Sequence, residues 1–276
     1  MIIKVISYNI LMDYLADPNY IKVNKKYLDN KFRTLHILKK LTSEIKKNTI
    51  FCLQEIGNSQ MNLLIQVFSK LNYYCVNVNE LAIFFPYKKF SIKNVQLGII
   101  SNLKHNLPKK FHQILSFKEK YFIILELRDL KTKKSFTIAN THILANPKYE
   151  PNKFLQVYVI LRELDKYKNV IFCGDLNSLP TSDVVNFILH KKKSLKLTNI
   201  KNIYKPTHNH SLITTHTKNE LSGIFTEMID YIFVSNNIKV LKTSNLIDRS
   251  NFNIKNLAPN KYEPSDHFLI STTVKI

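Results

Sequence analysis

Short apolar runs of strand-like composition alternate along this chain with longer segments of helical periodicity. Apolar side chains recur at near-helical spacing over residues 25–47, 61–71 and 154–167, and Ser182 or Asp183 can cap a helix that runs to His190. The predicted strands are IIKVISYNI (2–10), TIFCLQE (49–55), YYCVNV (73–78), LAIFF (81–85), VQLGII (95–100), YFIILEL (121–127), SFTIANTHI (135–143), NVIFCGDLN (169–177), MIDYIFVS (228–235), IKVLKTSNLI (238–247) and HFLISTTVKI (267–276). Because no linker rich in Pro, Gly or Ser divides this series and no internal repeat is visible, the sequence predicts one α/β domain over residues 1–276.

Polar side chains stand at the ends of these apolar runs. They are carboxylates, carboxamides and imidazoles: Asn9, Glu55, His142, Asp175, Asn177, Asp230, Asp266 and His267. Taken one at a time, each has an ordinary structural explanation as a turn residue, an ion-pair partner, a cap or a hydrogen-bonded core side chain. Taken together at one edge of buried sheets, they are the groups that a hard cation and a scissile phosphate require.

Six short motifs carry these residues in a fixed order. They are SYNIL (7–11), LQE (53–55), NTHILANP (140–147), GDLNSLP (174–180), IDYIF (229–233) and PSDHF (264–268). This order resembles the motifs of the endonuclease/exonuclease/phosphatase superfamily over essentially the whole chain. The resemblance implies a four-layer α/β sandwich, in which two mixed β-sheets are packed together and flanked by helices.

Within that superfamily, the chain looks most like the poly(A) deadenylases of the carbon-catabolite-repression type, with nocturnin, angel and the 2′,5′-phosphodiesterase as relatives. The stretches that carry this likeness are THILANPKYEPNKFLQ, GDLNSLPTSDVVNFI and LAPNKYEPSDHFLI. It implies a Mg²⁺-dependent 3′–5′ exoribonuclease that shortens poly(A), with RNA bearing an adenine-rich 3′ end as its partner.

The resemblance also assigns an adenine clamp. Pro147 and Phe225 occupy the two positions that sandwich an adenine in these deadenylases, although a loop-rigidifying proline and a core aromatic ring are the simpler explanations. Two departures leave the substrate preference and the assembly open. Thr226-Glu227 stand where several relatives have Lys-Gly, and the leucine-rich repeats of the larger deadenylases are missing, which puts in doubt any assembly that depends on those repeats and leaves the protein partners unknown.

The likeness to this family implies a metal site as well. Glu55 is the expected main ligand of Mg²⁺ or Mn²⁺, and Asn9 is expected beside it to position the metal or a phosphate oxygen. A second ion, if the enzyme uses two, would be held by Asp175, Asn177 and Asp266. The sequence leaves the choice between one and two ions open.

The remaining site residues receive catalytic roles from the same likeness. His267 is expected to contact the scissile phosphate and to assist proton transfer, with Asp230 orienting its ring. Asp175 would align the attacking water or act as its base, while Asn177 and His142 would stabilise the developing negative charge.

Charge is the strongest compositional signal. Lys and Arg number 41 against 20 Asp and Glu, a formal net charge of +21, which favours a polyanionic partner, although a general bias toward lysine explains part of the excess. The Lys-rich segments 104–110 and 191–205, interleaved with Phe111, Tyr204 and His208, are predicted to line a groove for RNA, with a solvated basic face as the alternative.

The cysteine pattern and the lack of a signal peptide or membrane span bear on the cellular compartment. The three cysteines show no CxxC spacing, which is typical of buried, reduced thiols, and the chain has neither a signal peptide nor a transmembrane segment. We therefore expect an intracellular, cytoplasmic protein that does not bind a membrane.

Three alternative functions stay open at this point. The same catalytic residues could hydrolyse 2′,5′-linked oligoadenylate or another phosphodiester that contains adenine. A DNA-repair endonuclease or lipid phosphatase of the superfamily resembles the chain less. A non-catalytic RNA-binding module is disfavoured, because none of Glu55, Asp175, Asp230 and His267 has been lost.

Overall fold

The computed structural model describes residues 1–116, 118–190, 200–202, 204–220, 223–248 and 257–276. Within these residues the chain forms five α-helices: α1 Asn30–Ser43, α2 Asn58–Lys70, α3 His112–Leu115, α4 Glu150–Leu164 and α5 Asp183–His190. The same residues form fourteen strands: β1 Ile2–Asn9, β2 Thr49–Gln54, β3 Tyr73–Val78, β4 Leu81–Pro86, β5 Phe90–Ile99, β6 Tyr121–Asp129, β7 Ser135–His142, β8 Val170–Asp175, β9 Tyr204–Pro206, β10 Thr215–Asn219, β11 Gly223–Glu227, β12 Asp230–Ser235, β13 Lys239–Thr243 and β14 Ile270–Lys275. Among these described segments, no helix is long and apolar enough to cross a membrane.

Two six-stranded sheets form the centre of the molecule. The strand order is β13-β14-β1-β2-β4-β3 in the first sheet and β5-β6-β7-β8-β12-β9 in the second, while β10 and β11 pair as a separate hairpin. Both sheets are mixed, because β1 and β2 are parallel in the first and β7 and β8 in the second, whereas the remaining neighbours are antiparallel. The parallel pairs are important for function, since their carboxyl ends lie at the same edge of the sandwich.

Three apolar clusters hold four layers together. One lies between the sheets and includes Val5, Ile138 and Ile171. A second joins the outer face of the first sheet to α1 and α2, and a third joins the outer face of the second sheet to α4 and α5. The four-layer α/β sandwich expected from the sequence is therefore confirmed.

The period of two along a strand explains why polar groups gather between the sheets. On β1, Ile3 and Val5 pack in the inner cluster while Ile6 and Tyr8 pack against the helices, so the series of inward side chains continues through Ser7 to Asn9. The corresponding inward series on the other central strands ends at Gln54 on β2, His142 on β7, Asp175 on β8 and Asp230 on β12. Each strand thus changes from apolar to polar at the same edge.

A buried amide pair cross-links the two sheets just below this edge. Gln54 Nε2 donates to Asn140 Oδ1 at 2.7 Å, and Asn140 Nδ2 donates to the Leu53 carbonyl at 2.9 Å and the Ala82 carbonyl at 3.1 Å. Both amides are fully buried, so losing either partner would leave a desolvated polar group behind. This bridge fixes the spacing between the sheets where the site begins.

Several element boundaries differ from the sequence-based expectation. The helix predicted over 25–47 is confined to α1, because the Asp29 carboxylate accepts from the Phe32 amide at 2.8 Å and caps a later start. Strand β5 begins at Phe90 rather than at residue 95, since its mostly exposed side chains give no apolar alternation. The hairpin of β10 and β11 was not predicted because its strands are rich in polar residues.

Two further differences concern the C-terminal half. Strand β14 begins at Ile270, and His267 forms only an isolated bridge to Thr215 before it. The Lys-rich segment 191–205 runs into β9, while residues 191–199 and 203 lie outside the described residues. Two of the three cysteines, Cys52 and Cys173, are buried free thiols as expected, and Cys75 is half-buried.

Candidate active site

Asn9 ties two carboxylates together at the edge of the sandwich. Its Nδ2 donates to Glu55 Oε1 at 2.9 Å and to Asp175 Oδ2 at 3.0 Å, and its Oδ1 accepts from the Leu11 amide at 3.0 Å. The three hydrogen bonds leave one orientation for the amide group, with its NH₂ toward the acids. Asn9 comes from the first sheet and Asp175 from the second, so this contact joins the two sheets.

His142 stands over the same pair of carboxylates. Its Nε2 lies 3.7 Å from Glu55 Oε1 and 3.8 Å from Asp175 Oδ2. Its Nδ1 lies 3.1 Å from Glu80 Oε1, and Lys120 Nζ donates to the same Glu80 oxygen at 3.2 Å. Glu80 thereby fixes which ring nitrogen of His142 faces the site.

His267 approaches Asp175 from the other side with a similar arrangement. Its Nδ1 lies 2.8 Å from Asp230 Oδ2, and its Nε2 lies 3.8 Å from Asp175 Oδ2. The backbone amide of Asp230 donates to Thr214 Oγ1 at 3.1 Å, which anchors this carboxylate at the start of β12. Asp175 Oδ2 therefore lies between two imidazoles, each oriented through Nδ1 by its own carboxylate.

The donor set suits a hard divalent cation. Two groups, Glu55–His142–Asp175 and Asp175–Asp230–His267, each bring one ligand atom per residue to within 4.8 Å of the others. Asp230 Oδ1 is buried and has no hydrogen-bond partner among the described residues, which is a poor arrangement for a carboxylate unless a cation or donor completes it. Oxygen-rich sets of this kind favour Mg²⁺ or Mn²⁺ over the soft metals that thiolates select.

Burial and mutual charge shift the protonation of these groups. Burial raises the pKa of Glu55, although His142 opposes the shift, and burial raises the pKa of Asp230 to about 6 against the opposing charge of His267. Burial lowers the pKa of His267, but the carboxylates of Asp230 and Asp266 outweigh it and hold the pKa well above its usual value. Buried acids that resist ionising, beside imidazoles that are held charged, are typical of a functional site.

The pKa of Glu80 is shifted in the opposite direction, downward. Burial raises the pKa of this carboxyl, but His142 and Lys120 outweigh it and lower the pKa to about 2. The pKa of His142 is raised in turn, because the Glu80 and Asp175 carboxylates overcome both burial and the Lys120 charge. His142 and Glu80 thus each favour the charged form of the other.

The other predicted site residues lie around this centre. Asn177 donates its backbone amide to Asp175 Oδ1 at 2.8 Å and its Nδ2 to the Ile143 carbonyl at 3.2 Å. Asp266 is half-buried, and its Oδ1 accepts weakly from Ser265 Oγ at 3.4 Å. Pro147 is exposed at the start of the turn Pro147–Tyr149, and Phe225 is half-buried on β11, where it pairs with Thr217 of β10.

The backbone is strained at three of these positions. Leu11, Glu55 and Asn177 have φ angles of 57°, 54° and 43°, a left-handed conformation that non-glycine residues seldom adopt. Each follows a central strand and turns its side chain or amide toward Asp175 or Asn9. Strain of this kind persists only where the surrounding contacts impose it, as they do at functional sites.

Three residues that position the site were not singled out from the sequence: Glu80, Lys120 and Arg33. Arg33 is fully buried on α1, where its Nη1 donates to the Pro264 carbonyl at 2.6 Å and its Nη2 to the carbonyls of Ile10 and Leu11. It thereby fastens the turn after β1 to the segment that leads into His267. Neither a turn glutamate nor a helix arginine carries a signal in one sequence, because the same letters usually mark solvated positions.

Two predicted groove residues are unavailable to RNA. Tyr204 is 2% exposed because it packs in the core beneath β12, and His208 is 4% exposed between Thr207 Oγ1 and Ser244 Oγ. The expectation that they line a groove is therefore wrong. Lys104, Lys109 and Lys110 are exposed, and Phe111 is partly buried against the core.

Comparison with known proteins gives a family match for most of the chain. Residues 6–267 match the model of the endonuclease/exonuclease/phosphatase family. A protein of Vairimorpha ceranae named "Probable CCR4-Not complex 3′-5′-exoribonuclease subunit Ccr4" is 28% identical over 219 residues, which is 72% of this chain and 46% of that protein. Protein angel homolog 2 of Danio rerio is 28% identical over 211 residues, 68% of this chain and 35% of that protein. The chain thus spans less than half the length of both relatives.

Two solved structures share the fold over nearly the whole chain. ANGEL2, described as a 2′,3′-cyclic phosphatase and crystallised with adenosine-2′,3′-vanadate, superposes with a TM-score of 0.81 at 21% identity and covers 99% of this chain and 95% of that one. The human Nocturnin catalytic domain with bound sulfate gives a TM-score of 0.71 at 20% identity and covers 99% and 93%.

Proposed function

Because this chain belongs to the endonuclease/exonuclease/phosphatase family, we propose that it is a Mg²⁺-dependent phosphodiesterase that removes nucleotides from the 3′ end of RNA, preferentially adenylates. The observation that carries the proposal is the shared position of Asp175. Its Oδ2 lies 3.8 Å from the Nε2 atoms of both His142 and His267, and each imidazole is held by a second carboxylate. Such a centre can bind a cation, orient a water and donate to a phosphoryl oxygen within a few ångströms.

Glu55 and Asp175 are the residues proposed to hold the cation. When bound, Mg²⁺ supplies Lewis-acid polarisation of the scissile phosphate and neutralises charge that develops on its oxygens. Asn9 acts as a positioning residue in this proposal, since its NH₂ group already donates to both carboxylates and holds their lone pairs toward a common point. Asp266 and Asn177 remain candidates for a second ion.

His267 is proposed to serve the scissile phosphate and the leaving oxygen. Asp230 accepts a hydrogen bond from Nδ1 of His267, which leaves Nε2 facing Asp175 and the reaction centre. An imidazolium oriented in this way donates a hydrogen bond or a proton to an oxygen that gains negative charge. Asp175 orients the attacking water and accepts its proton.

His142 and Asn177 are proposed as donors that stabilise the transition state. Glu80 favours the charged form of His142 and turns its Nε2 toward the site, so this donor is already arranged before substrate binds. Asn177 lies on the strained turn after Asp175, where its backbone amide donates to Asp175 Oδ1 at 2.8 Å.

The choice of RNA with an adenine-rich end rests on three supports. A relative that is 28% identical carries the name of a 3′–5′ exoribonuclease. Pro147 and Phe225 offer apolar planes, one exposed and one half-buried, on which a base can stack. The net charge of +21 favours a polyanion.

Digestion of a panel of substrates with Mg²⁺ tests the proposal. The panel comprises 5′-labelled poly(A), the other homopolymers, 2′,5′-oligoadenylate, abasic duplex DNA and RNA that ends in a 2′,3′-cyclic phosphate, the last because an angel relative of known structure is described as a 2′,3′-cyclic phosphatase. We expect a ladder that shortens from the 3′ end on poly(A), and no ladder with Asp175→Ala or His267→Ala.

Other outcomes assign other functions. Equal digestion of all homopolymers, unchanged in Phe225→Ala, would remove the adenine clamp. If only the cyclic phosphate or only the 2′,5′ linkage is cleaved, the chain would be assigned that activity and not an exoribonuclease activity. If no substrate of the panel is cleaved, the proposal that the chain is a phosphodiesterase would be rejected.

A further inference from the structure

A polar cavity of about 660 Å³ opens beside the proposed catalytic centre. It adjoins that centre through two contacts: the Met12 amide lies 3.4 Å from Glu55 Oε2, and Glu80 holds His142 at 3.1 Å. Both Met12 and Glu80 line the cavity. A group bound there would therefore sit next to the scissile phosphate, and the volume suits a ligand the size of a nucleoside.

In the second sheet, the strand that borders this cavity and the strand that follows Phe225 lie on opposite sides of the central pair β7 and β8. The cavity is built from the turns after β1 and β2, the β3–β4 turn and the start of β6. In the second sheet β6 lies on one side of β7 and β8, and β12, which follows the strand of Phe225, lies on the other. A strand of RNA that has its last base at Phe225 and its last phosphodiester at Asp175 would place the preceding nucleoside toward the cavity.

The cavity is unsuited to a phosphate. Its wall carries Asp13, Glu80 and Glu119 against Lys120. The Lys120 ammonium is already engaged by Glu80 at 3.2 Å, and Asp13 lies 3.9 Å from the buried Arg33. In a chain of net charge +21, a negative cavity beside the site selects for an uncharged group.

Two aromatic rings border the same space. Tyr14 is 73% exposed at the cavity mouth. Tyr121 is half-buried, and its hydroxyl donates to Glu119 Oε2 at 3.2 Å. An exposed tyrosine ring beside carboxylate acceptors matches the needs of a nucleoside, whose base presents a flat face and whose hydroxyl and amino groups donate hydrogen bonds.

We propose that this cavity is a nucleoside subsite, which binds the nucleoside on the leaving-group side of the scissile bond with its base against Tyr14. The proposal rests on the proposed phosphodiesterase function and deepens it. An enzyme with this subsite requires a nucleoside on each side of the phosphate. It is therefore more effective on oligonucleotides than on phosphate esters that carry a single nucleoside.

Two substrates that differ only in the leaving group test the proposal. The first is adenylyl-(3′→5′)-adenosine, and the second is adenosine 5′-(methyl phosphate), in which a methyl group replaces the leaving nucleoside. The measured quantity is the ratio of their kcat/KM values with Mg²⁺, for the intact chain and for Tyr14→Ala. We expect the dinucleotide to be favoured and Tyr14→Ala to lower the ratio roughly tenfold, mainly through KM of the dinucleotide, as loss of one base stack does.

Tyr74→Ala is the matched control, because Tyr74 is also an exposed tyrosine, 56% accessible, but lies on β3 at the end away from the site. Its ratio should equal that of the unmodified chain. A ratio that Tyr14→Ala leaves unchanged would overturn the subsite. Absence of turnover on both substrates would instead reject the proposed function, and the subsite would then be judged by the binding of the same pair, which Tyr14→Ala must equalise.

Discussion

Gly174 offers a sharp test of how tightly the site is built. It lies next to Asp175 at the end of β8, paired with Thr141 of the parallel strand β7. A Cβ atom added at this position would lie 2.1 Å from the Thr141 carbonyl oxygen, far inside van der Waals contact with a backbone atom that cannot rotate away. The φ angle of 153° is unfavourable for a side chain as well.

These two effects give the expected magnitude for Gly174→Ala. Strain at an unfavourable backbone angle is worth roughly 1–3 kcal/mol, and overpacking in a close-packed interior adds roughly 1–3 kcal/mol more. We therefore expect the free energy of unfolding to fall by about 2–6 kcal/mol. Turnover should fall too, because relief of the clash moves the backbone that carries Asp175.

Gly98 supplies a matched control within the same sheet. Its φ angle is 149°, nearly that of Gly174, but an added Cβ would meet no atom within 4 Å. Gly98→Ala thus carries the backbone strain without the clash, so the difference between the two variants isolates the close approach of β7 and β8. Urea unfolding followed by far-UV circular dichroism is the suitable assay, since the chain contains no Trp.

Equal destabilisation of the two glycine variants would refute the reasoning. It would mean that β7 and β8 lie further apart than described, or that the strands separate without loss of free energy. Full activity in Gly174→Ala would contradict the placement of Asp175 on a rigid strand end.

Three further outcomes are expected. Asp230→Asn should lower kcat by roughly 100-fold with little change in KM, because Asn cannot hold His267 in the charged, oriented state. Steady-state kinetics measure both constants, and an unchanged kcat would remove this pair from the mechanism. A chelator should abolish turnover, and Mg²⁺ or Mn²⁺ should restore it and raise Tm, whereas undiminished activity in the chelator would eliminate the metal. Burial lowers the pKa of His208 to about 4, below its unfolded value of about 6.5. The protein is therefore expected to lose about 3 kcal/mol of stability as the pH falls from about 6.5 to 4, because the unfolded chain then binds a proton that the buried ring does not. Urea unfolding at several pH values should show this loss, and His208→Gln should lessen it.

The fold and the convergence of the strand ends were accessible from the sequence for one physical reason. A central strand must bury both faces, so it is read as an apolar run, and a polar residue at its end is unusual enough to notice. Asn9, Asp175 and Asp230 stand out in this way, and the structure brings them to one edge. The period of two then determines which face each side chain takes.

The supporting residues could not be found by the same reasoning. Glu80 lies in the turn between β3 and β4, where acidic residues are commonplace, and its contact with His142 depends on how the two sheets pack. Arg33 appears on a helix among other basic residues, yet it is fully buried. Tyr204 and His208 show the converse error, since residues in a basic segment were expected at the surface.

The burial that shapes the site also gives a physical reason for the proposed binding of a cation. Asn9 supplies two donors and the imidazoles approach no closer than 3.7 Å to Glu55 and Asp175, so these acids are only partly compensated. Burial raises the pKa of Glu55, which is the direction expected for an acid whose charge is incompletely compensated. A hard cation would compensate that charge and complete the reaction centre at once. The buried acids whose charges are incompletely compensated are therefore the same residues that would bind the metal, and the strained turns at Glu55 and Asn177 are the backbone conformations that hold these residues in place.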